Sequence, residues 1–472
     1  MIAPTRPAPQ PIDISAEPHL SGVFAPTVDE IDVYNLPVEG ELPEGIDGDY
    51  LRNGPNPRFS PLGGYVFPLD GDGMLHRVRI RDGKVGYGNR FVRTPTLAAE
   101  ERAGRALWGG FGGGLFRPSA DEVGPDLART VKDMPDINVV RHGGKLLALA
   151  EAANPFLIDD DLATLGRETF GGHLPAGMTA HPKIDPRTGE MVVLNYQFSA
   201  PHLTWAVIGP DGTVVRSPTP VPGVDRPLMV HDMALTATYV VLVLAPFFFD
   251  LAGAHRGGSL LSWEPDEGTR IALIPRDGGR VRWLAGETFW MWHAANAHDT
   301  PDGNVVLDFV RWSAPALVSE HAASDLARLV LDPTTGSATV STLADRGMEF
   351  PRVDDRQTAA DHRVIGTALQ SGRRELLGGD ADMLGWYDNA DDSFTTWDAG
   401  NLAVGEQSFV PLPGDPDPTR GWWTTIATDR TDHTSRLLII PAADPASGPV
   451  ATVALPQRVP LGLHGSWQPT EE

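Results

Sequence analysis

The sequence predicts an all-β fold, and among closed β architectures it favours a propeller. Three observations carry that expectation. From about Asp49 onward, short apolar and β-branched runs recur: KLLALAE, EMVVLNYQF, LTWAVIG, YVVLVLA, RIALIPR, VRWLAG, NVVLDFVRW, ARLVLDP, WWTTIAT and SRLLIIP. Between them stand RDGK, PDGT, RDGG, PDGN and PTTG, turn sequences in which Gly or Asn supplies a positive φ. With 51 Gly and 43 Pro, this pattern of many short strands fits a sandwich, a barrel or a propeller. Length alone would suggest about three domains. The 472 residues show no composition break, however, which favours one large closed β unit.

In chain order, MIAPTRPAPQPIDIS lacks the apolar core of a secretory signal. Residues 1–18 are therefore expected to form a flexible Pro-rich tail ahead of a single domain over 19–472. The stretch TLAAEERAGRALWGGFGGGLF begins as a helix, with Thr96 as N-cap and Glu100 and Glu101 near its positive end. It then becomes a Gly-rich apolar loop holding Trp108, Phe111, Leu115 and Phe116. A helix packed on the propeller face and an apolar lip that admits a greasy substrate are compatible readings of this segment. A second apolar cluster, APFFFDLAG with Phe247, Phe248 and Phe249, is bracketed by Pro and Gly and is expected to be a loop over the same opening. The longest apolar stretch, Tyr239 to Phe249, is about half of what a membrane-spanning helix needs. A cytoplasmic protein is expected, with peripheral membrane contact through the lip left open.

Composition excludes several functions. Lys+Arg 38 against Asp+Glu 62 gives a net charge of −24, and no basic run interrupts it. Nucleic-acid binding requires clustered cations, so it is not expected. Zero Cys removes disulfides, thiolate ligands and iron–sulfur clusters, so any metal must sit on nitrogen and oxygen.

Four of the 14 histidines stand in distinctive strings: His181 in TAHPKIDPRTGE, His231 in MVHDMALT, His293 in WHAANAHD and His464 in VPLGLHGSW. A single histidine is ordinarily a surface or satisfied core residue. These are flanked by Pro182, Asn296 and Gly465, residues that fix a turn or a strand end. Neutral imidazoles converging from distant segments make a metal site, and imidazole suits iron, zinc, copper and nickel alike. The intervals are 50, 62 and 171 residues. At roughly 40–60 residues per blade they correspond to about one, one and three blades, which would set equivalent positions around a central channel.

Beyond these patterns, HLSGVFAP, LRNGPNPRF, LDGDGMLH, GKLLALAEAANPFLID, EFPRVD and the four histidine strings, in that family's order, resemble the carotenoid cleavage oxygenases over nearly the whole chain. The resemblance implies a seven-bladed propeller with a helix-and-loop cap over the iron face. It implies non-haem Fe(2+) on His181, His231, His293 and His464, with glutamates holding three of the four rings. Glu151 and Glu349 fall on two of those glutamate positions. At the third, aligning GDPDPTRGWWTTIA on Gly421 puts Pro418 where the glutamate belongs, leaving Asp417, a water or a main-chain carbonyl to hold His464. The other histidines, His76, His298 and His433 among them, are expected to be structural or surface residues. His298 stands where the family string has an aromatic.

The reaction implied is addition of O2 across a conjugated C=C bond to give two carbonyl products, with the metal carrying the chemistry and no acid–base pair required. Trp292 and Phe350, next to His293 and Glu349, are candidate tunnel walls, together with Phe111 and Phe247. Relatives acting on stilbenoids resemble one another in a Lys directly before the first glutamate and a Tyr-Arg-Asn-Pro string after the lip helix, where Lys and Tyr bind a phenolate. Here those places hold Ala150 and Phe111-Gly-Gly-Gly. A carotenoid or apocarotenoid is therefore the expected substrate. Alternatives are a stilbenoid or phenylpropanoid alkene of the lignostilbene or isoeugenol type, a retinoid-type isomerisation, and a non-catalytic propeller that only binds. The oligomeric state is not legible.

Overall fold

The computed structural model describes residues 8–255, 259–317, 319 and 322–470. Seven antiparallel sheets stand around a central axis as the blades of a propeller. Blade 2 begins at the axis with Asn138–His142, blade 3 with Lys183–Ile184, blade 4 with Ala234–Leu235, blade 5 with Trp290–Asp299 and blade 6 with Met348–Arg352. Both ends of the chain close the ring. In blade 1, Gly465–Pro469 pairs with Gly48–Arg52 in the register Leu51↔Ser466. In blade 7, Val38–Gly40 pairs with Ala451–Ala454, outside Ser435–Pro441, Gly421–Asp429 and Ser408–Pro411.

Blade 5 shows how the sequence specifies a blade. Its second strand, Val305–Trp312, is buried along its first six residues because neighbouring blades cover both faces, so it reads as a continuous apolar run. The outermost strand, Ser337–Ala344, largely alternates exposed and half-buried positions. PDGN forms the first hairpin, with Gly303 at φ 88° and Thr300 N–H bonded to Asn304 O at 2.8 Å. Leu307 and Phe309 have no exposure and pack with Val241 and Leu273 of blade 4. Truncating Phe309 to Ala would cost about 3–5 kcal/mol.

The cap rises between blades 1 and 2. Its helix runs Pro95–Ala103, and the N-cap is Thr94, not Thr96: Thr94 Oγ accepts from Leu97 N–H at 3.0 Å, while Pro95 occupies the first turn, where a missing N–H costs nothing. Glu100 does not serve the helix dipole. It is fully buried, accepts from Leu107 and Trp108 N–H at 2.9 and 3.2 Å, and pairs with Lys132 at 2.8 Å. Trp108 is buried with it, so the lip proper is Phe111, Leu115 and Phe116, all half-buried. Of the expected tail, residues 1–7 lie outside the described residues. From residue 8 the chain lies on the body, with Ile12 N–H bonded to Pro61 O at 2.9 Å and Gly63 N–H to Gln10 O at 2.8 Å.

Phe247–Phe249 is a strand paired with Leu261–Trp263, not a loop. Three β-prone aromatics find a partner strand, and Phe247 is fully buried with its ring edge-on to Trp290 at 5.2 Å. No helix of the described residues is long and apolar enough to cross a membrane.

Candidate metal centre

Each of the four histidines is placed by an inner strand. His181 precedes Lys183–Ile184, His231 precedes Ala234–Leu235, His293 lies within Trp290–Asp299 and His464 immediately precedes Gly465–Pro469. They therefore sit on blades 3, 4, 5 and 1, separated by one, one and three blades as the intervals suggested. His181 Nε2 and His231 Nε2 are 3.1 Å apart, and His231 Nε2 and His293 Nε2 are 3.3 Å apart. The His464 ring lies 4.6 Å from that of His181 and 4.7 Å from that of His293, centroid to centroid. All four are buried.

The opposite nitrogens of three rings face carboxylates. His231 Nδ1 lies 2.9 Å from Glu151 Oε2, His293 Nδ1 2.5 Å from Glu349 Oε2, and His464 Nδ1 2.8 Å from Glu406 Oε1. Glu406 corrects the alignment on Gly421: the third glutamate precedes Ser408–Pro411 and not the strand after it. Pro418 vacates nothing, and Asp417 is an exposed turn residue bonded to Thr419. The signal was present in VGEQSFVP, where an acidic residue opens an inner strand just as Glu349 does in MEFPR.

Each glutamate is held in turn by a different group. Tyr196 Oη donates to Glu151 at 2.7 Å, Trp312 Nε1 to Glu349 at 2.8 Å, and Arg352 Nη1 to Glu406 at 3.1 Å, where Gly465 N–H adds a bond at 2.8 Å. Asp232, beside His231, has partners that no local sequence pattern shows. Its buried carboxylate meets Lys183 Nζ at 2.8 Å and accepts from Ala294 N–H at 2.8 Å. One carboxylate thus ties together the segments that carry His181, His231 and His293.

Because a carboxylate only accepts, Nδ1 of the three backed rings carries the proton and Nε2 presents its lone pair to the centre. Burial pushes the His181 pKa well below the usual imidazole value, and its histidine neighbours push it further. Burial also lowers His464, against the pull of Glu406. Burial opposes protonation of His293 too, but the adjacent Glu349 carboxylate outweighs it and holds that ring above its usual value. Burial would raise Glu406, and the Arg352 guanidinium instead holds it at about 2. Converging lone pairs repel one another unless a cation lies between them. Adjacent nitrogens bound to a metal at ~2.1 Å sit roughly 3.0–3.4 Å apart. The observed 3.1 and 3.3 Å fit that spacing, so the donor set suits a metal ion.

Two of the four candidate wall residues touch this centre. Trp292 stands edge-on to His231 at 4.8 Å, and Phe350 stacks on His293 at 5.5 Å. Phe350 has φ 56°, a left-handed conformation costly for a bulky side chain, and its N–H bonds the Glu349 carboxylate. Phe111 and Phe247 do not reach the histidines but belong to the same apolar cluster as Trp292, on the cap side. Asp70 fixes Phe111 by accepting from Phe111 and Gly112 N–H at 2.6 and 2.9 Å. From the other side a cavity of about 600 Å³ runs along the axis to His181, His293 and His464, lined by Arg141, Lys183 and Arg356.

Fold and site define a class: a propeller enzyme whose axis carries buried imidazoles able to hold a metal ion. Within it, the chain belongs to the carotenoid cleavage oxygenase family, matching the family described as retinal pigment epithelial membrane protein over residues 24–469. It is an oxygenase by that membership. Carotenoid 9,10(9',10')-cleavage dioxygenase 1 of Phaseolus vulgaris is 33% identical over an alignment covering 97% of this chain and 91% of that protein. The crystal structure of Pseudomonas brassicacearum lignostilbene dioxygenase superposes with a TM-score of 0.88 at 29% identity, over 96% of this chain and 99% of that one. A mutant of Synechocystis apocarotenoid oxygenase superposes with a TM-score of 0.82 at 26% identity, over 94% and 97%.

Proposed function

We propose that the protein is a non-haem iron(II) dioxygenase that cleaves a conjugated C=C bond of a carotenoid or apocarotenoid with O2, both oxygen atoms leaving in two carbonyl products. The observation that carries this reading is the convergence of imidazole nitrogens from His181, His231, His293 and His464, with Glu151, Glu349 and Glu406 behind three of them. Bound there, iron(II) would supply the activation of O2. Four neutral ligands leave positions open for it and leave the charge of the ion to be balanced by the glutamates behind the rings. Trp292 and Phe350 would keep water from the reacting alkene, and the cap-side apolar cluster would align a rigid polyene. Among the polar groups described around the rings, none needs to move a proton for this reaction.

The substrate class rests on Ala150 and Phe111, which stand where stilbenoid-cleaving relatives place a phenolate-binding Lys and Tyr. Phenolate in an apolar tunnel needs a cation or strong donor beside it. Tyr196, a phenol beside the first glutamate, already donates its hydroxyl hydrogen bond to Glu151. The likeness to lignostilbene dioxygenase favours a second reading, cleavage of a stilbenoid or phenylpropanoid alkene. Half-exposed aromatics beside the cap-side cluster, Phe198 and Phe249, would form the mouth and the surface that meets lipid from the cytoplasmic side.

The test is anaerobic loading with iron(II), then O2 and a panel of all-trans apocarotenals, carotenoids, resveratrol and isoeugenol, with products identified by mass spectrometry. Carbonyl fragments from polyenes at higher kcat/KM than from phenols support the proposal. Equal or better cleavage of the phenols overturns the substrate class, and a product of unchanged mass overturns cleavage in favour of isomerisation.

A further inference from the structure

Among the described residues, two groups of metal-ligating side chains converge: the histidines at the axis, and His298, Asp361 and His362, whose donor atoms lie within 4.8 Å of one another. His298 is near the far end of Trp290–Asp299, five residues past His293 and so roughly 17 Å further along the strand. Trp290 and Trp292 pack in the cap-side cluster, which puts His298 at the opposite face of the propeller. Asp361 and His362 lie between Met348–Arg352 and Val364–Leu369 of blade 6. Together they wall a cleft of about 430 Å³ that also meets Arg328, Gln357 and Asn389.

His362 is the fixed member. Its side chain has no exposure, and Nε2 lies 3.0 Å from Asp308 Oδ2, a carboxylate held by Arg328 through bonds of 2.8 and 2.7 Å. A carboxylate behind an imidazole is the arrangement that orients a metal ligand. Nδ1 lies 3.3 Å from Asn296 Nδ2, but that amide directs donors at Gln357 O and Ala360 O, at 2.9 and 2.8 Å. An amide NH2 has two protons, and the two shorter bonds claim them, so the contact with Nδ1 is at most a weak shared one that a metal ion can displace. His298 Nδ1 is buried without a hydrogen-bond partner, as is Gln357 Oε1. Its Nε2 is 3.8 Å from Asp361 Oδ1, on a side chain 86% exposed and free to swing. Burial keeps His298 below the usual imidazole value, so the ring is neutral at pH 7. Arg328 is offset by Asp308 and Arg363 by Asp388, which leaves Asp361 as the uncompensated charge.

We propose that His298, His362 and Asp361 form a second metal site, which takes zinc(II) and clasps blade 5 to blade 6. Two imidazoles and one carboxylate, with a remaining position for water, make a donor set suited to zinc. Bound donors sit roughly 3.0–3.4 Å apart, so inward rotation of Asp361 closes the site. The site depends on His298, which stands where the family string has an aromatic.

The experiment uses protein loaded with iron(II) at the axis, dialysed anaerobically against zinc chloride and analysed for both metals. One zinc per chain should be retained with iron unchanged, and the melting temperature should rise with zinc concentration. His298→Phe should abolish zinc retention while keeping iron, and Asp361→Asn, on an exposed side chain that threatens no fold, should weaken zinc binding at least tenfold. Zinc that enters at the expense of iron, zinc retained undiminished by His298→Phe, or no retained zinc in the wild type each overturns the proposal.

Discussion

Arg352 Nη1 lies 3.1 Å from Glu406 Oε2, and through that contact a guanidinium of blade 6 keeps the glutamate behind His464 ionised in a fully buried position. The same side chain donates to Gly465 O at 3.0 Å, on the residue after His464. Breaking a buried pair by removing one partner costs about 3–5 kcal/mol. Arg352→Met is therefore expected to lower the melting temperature and weaken iron(II) retention, and Arg352→Lys to restore part of both. The folded-state pKa of Glu406, about 2, lies below its ordinary 4.5, so its stabilisation is present above pH 4.5 and is lost as pH falls towards 2. Metal-free Arg352→Met, with Glu406 released upward, should lose stability at higher pH than the wild type. Identical acid-unfolding curves for the two proteins would remove Arg352 from this role.

For the histidines, the expectation concerns occupancy. His181→Ala, His231→Ala, His293→Ala and His464→Ala should each lose bound iron or turnover while the β-rich circular dichroism spectrum persists, because the blades are held by their own sheet cores. A series that leaves iron content and activity intact would refute the assignment.

The glutamates predict a graded series. Glu151→Gln, Glu349→Gln and Glu406→Gln should each lower iron affinity or rate by about 10–100-fold. Asp417→Asn, on an exposed turn, should change neither. A large Asp417 effect in an iron titration would reinstate the alignment that the structure corrects.

Asp232 joins three ligand-bearing segments through Lys183 and Ala294 N–H. Asp232→Asn removes the charge that Lys183 answers and should both destabilise the fold and weaken iron retention. If calorimetry shows the cost confined to stability, with iron affinity unmoved, the segments do not depend on it.

The lip offers a separate handle. Asp70→Ala frees the Phe111 and Gly112 N–H groups, so KM for an apolar substrate should rise several-fold with iron content unchanged. Unaltered KM would mean that the Phe111 loop does not shape access.

The strands were legible because period, turn sequences and apolar runs are local properties, and the four histidines because their strings are distinctive. What was missed depends on long-range pairing. Glu406 is hidden from an alignment anchored on Gly421, because the useful regularity is spatial: the acidic residue sits at the start of an inner strand. Thr94 and not Thr96 is the N-cap because Pro95, which lacks an N–H, takes the first turn of the helix. Phe247 looked like loop because its partner strand, Leu261–Trp263, carries little pattern of its own. Arg352 and Asp232 could not be assigned from sequence, since nothing local says which carboxylate or which cation a buried charge will meet.

The seam of blade 1 orders events during synthesis. His464 follows His293 by 171 residues, which a ribosome adds in roughly 10–35 s. Through that interval the emerging polypeptide owns three of its four central imidazoles and a ring still open, because Gly465–Pro469 has not yet met Gly48–Arg52. A fragment stopped before Leu463 has neither the last imidazole nor the closing strand. The fourth imidazole and the closing strand therefore reach the axis together, so the complete donor set exists only in a closed ring.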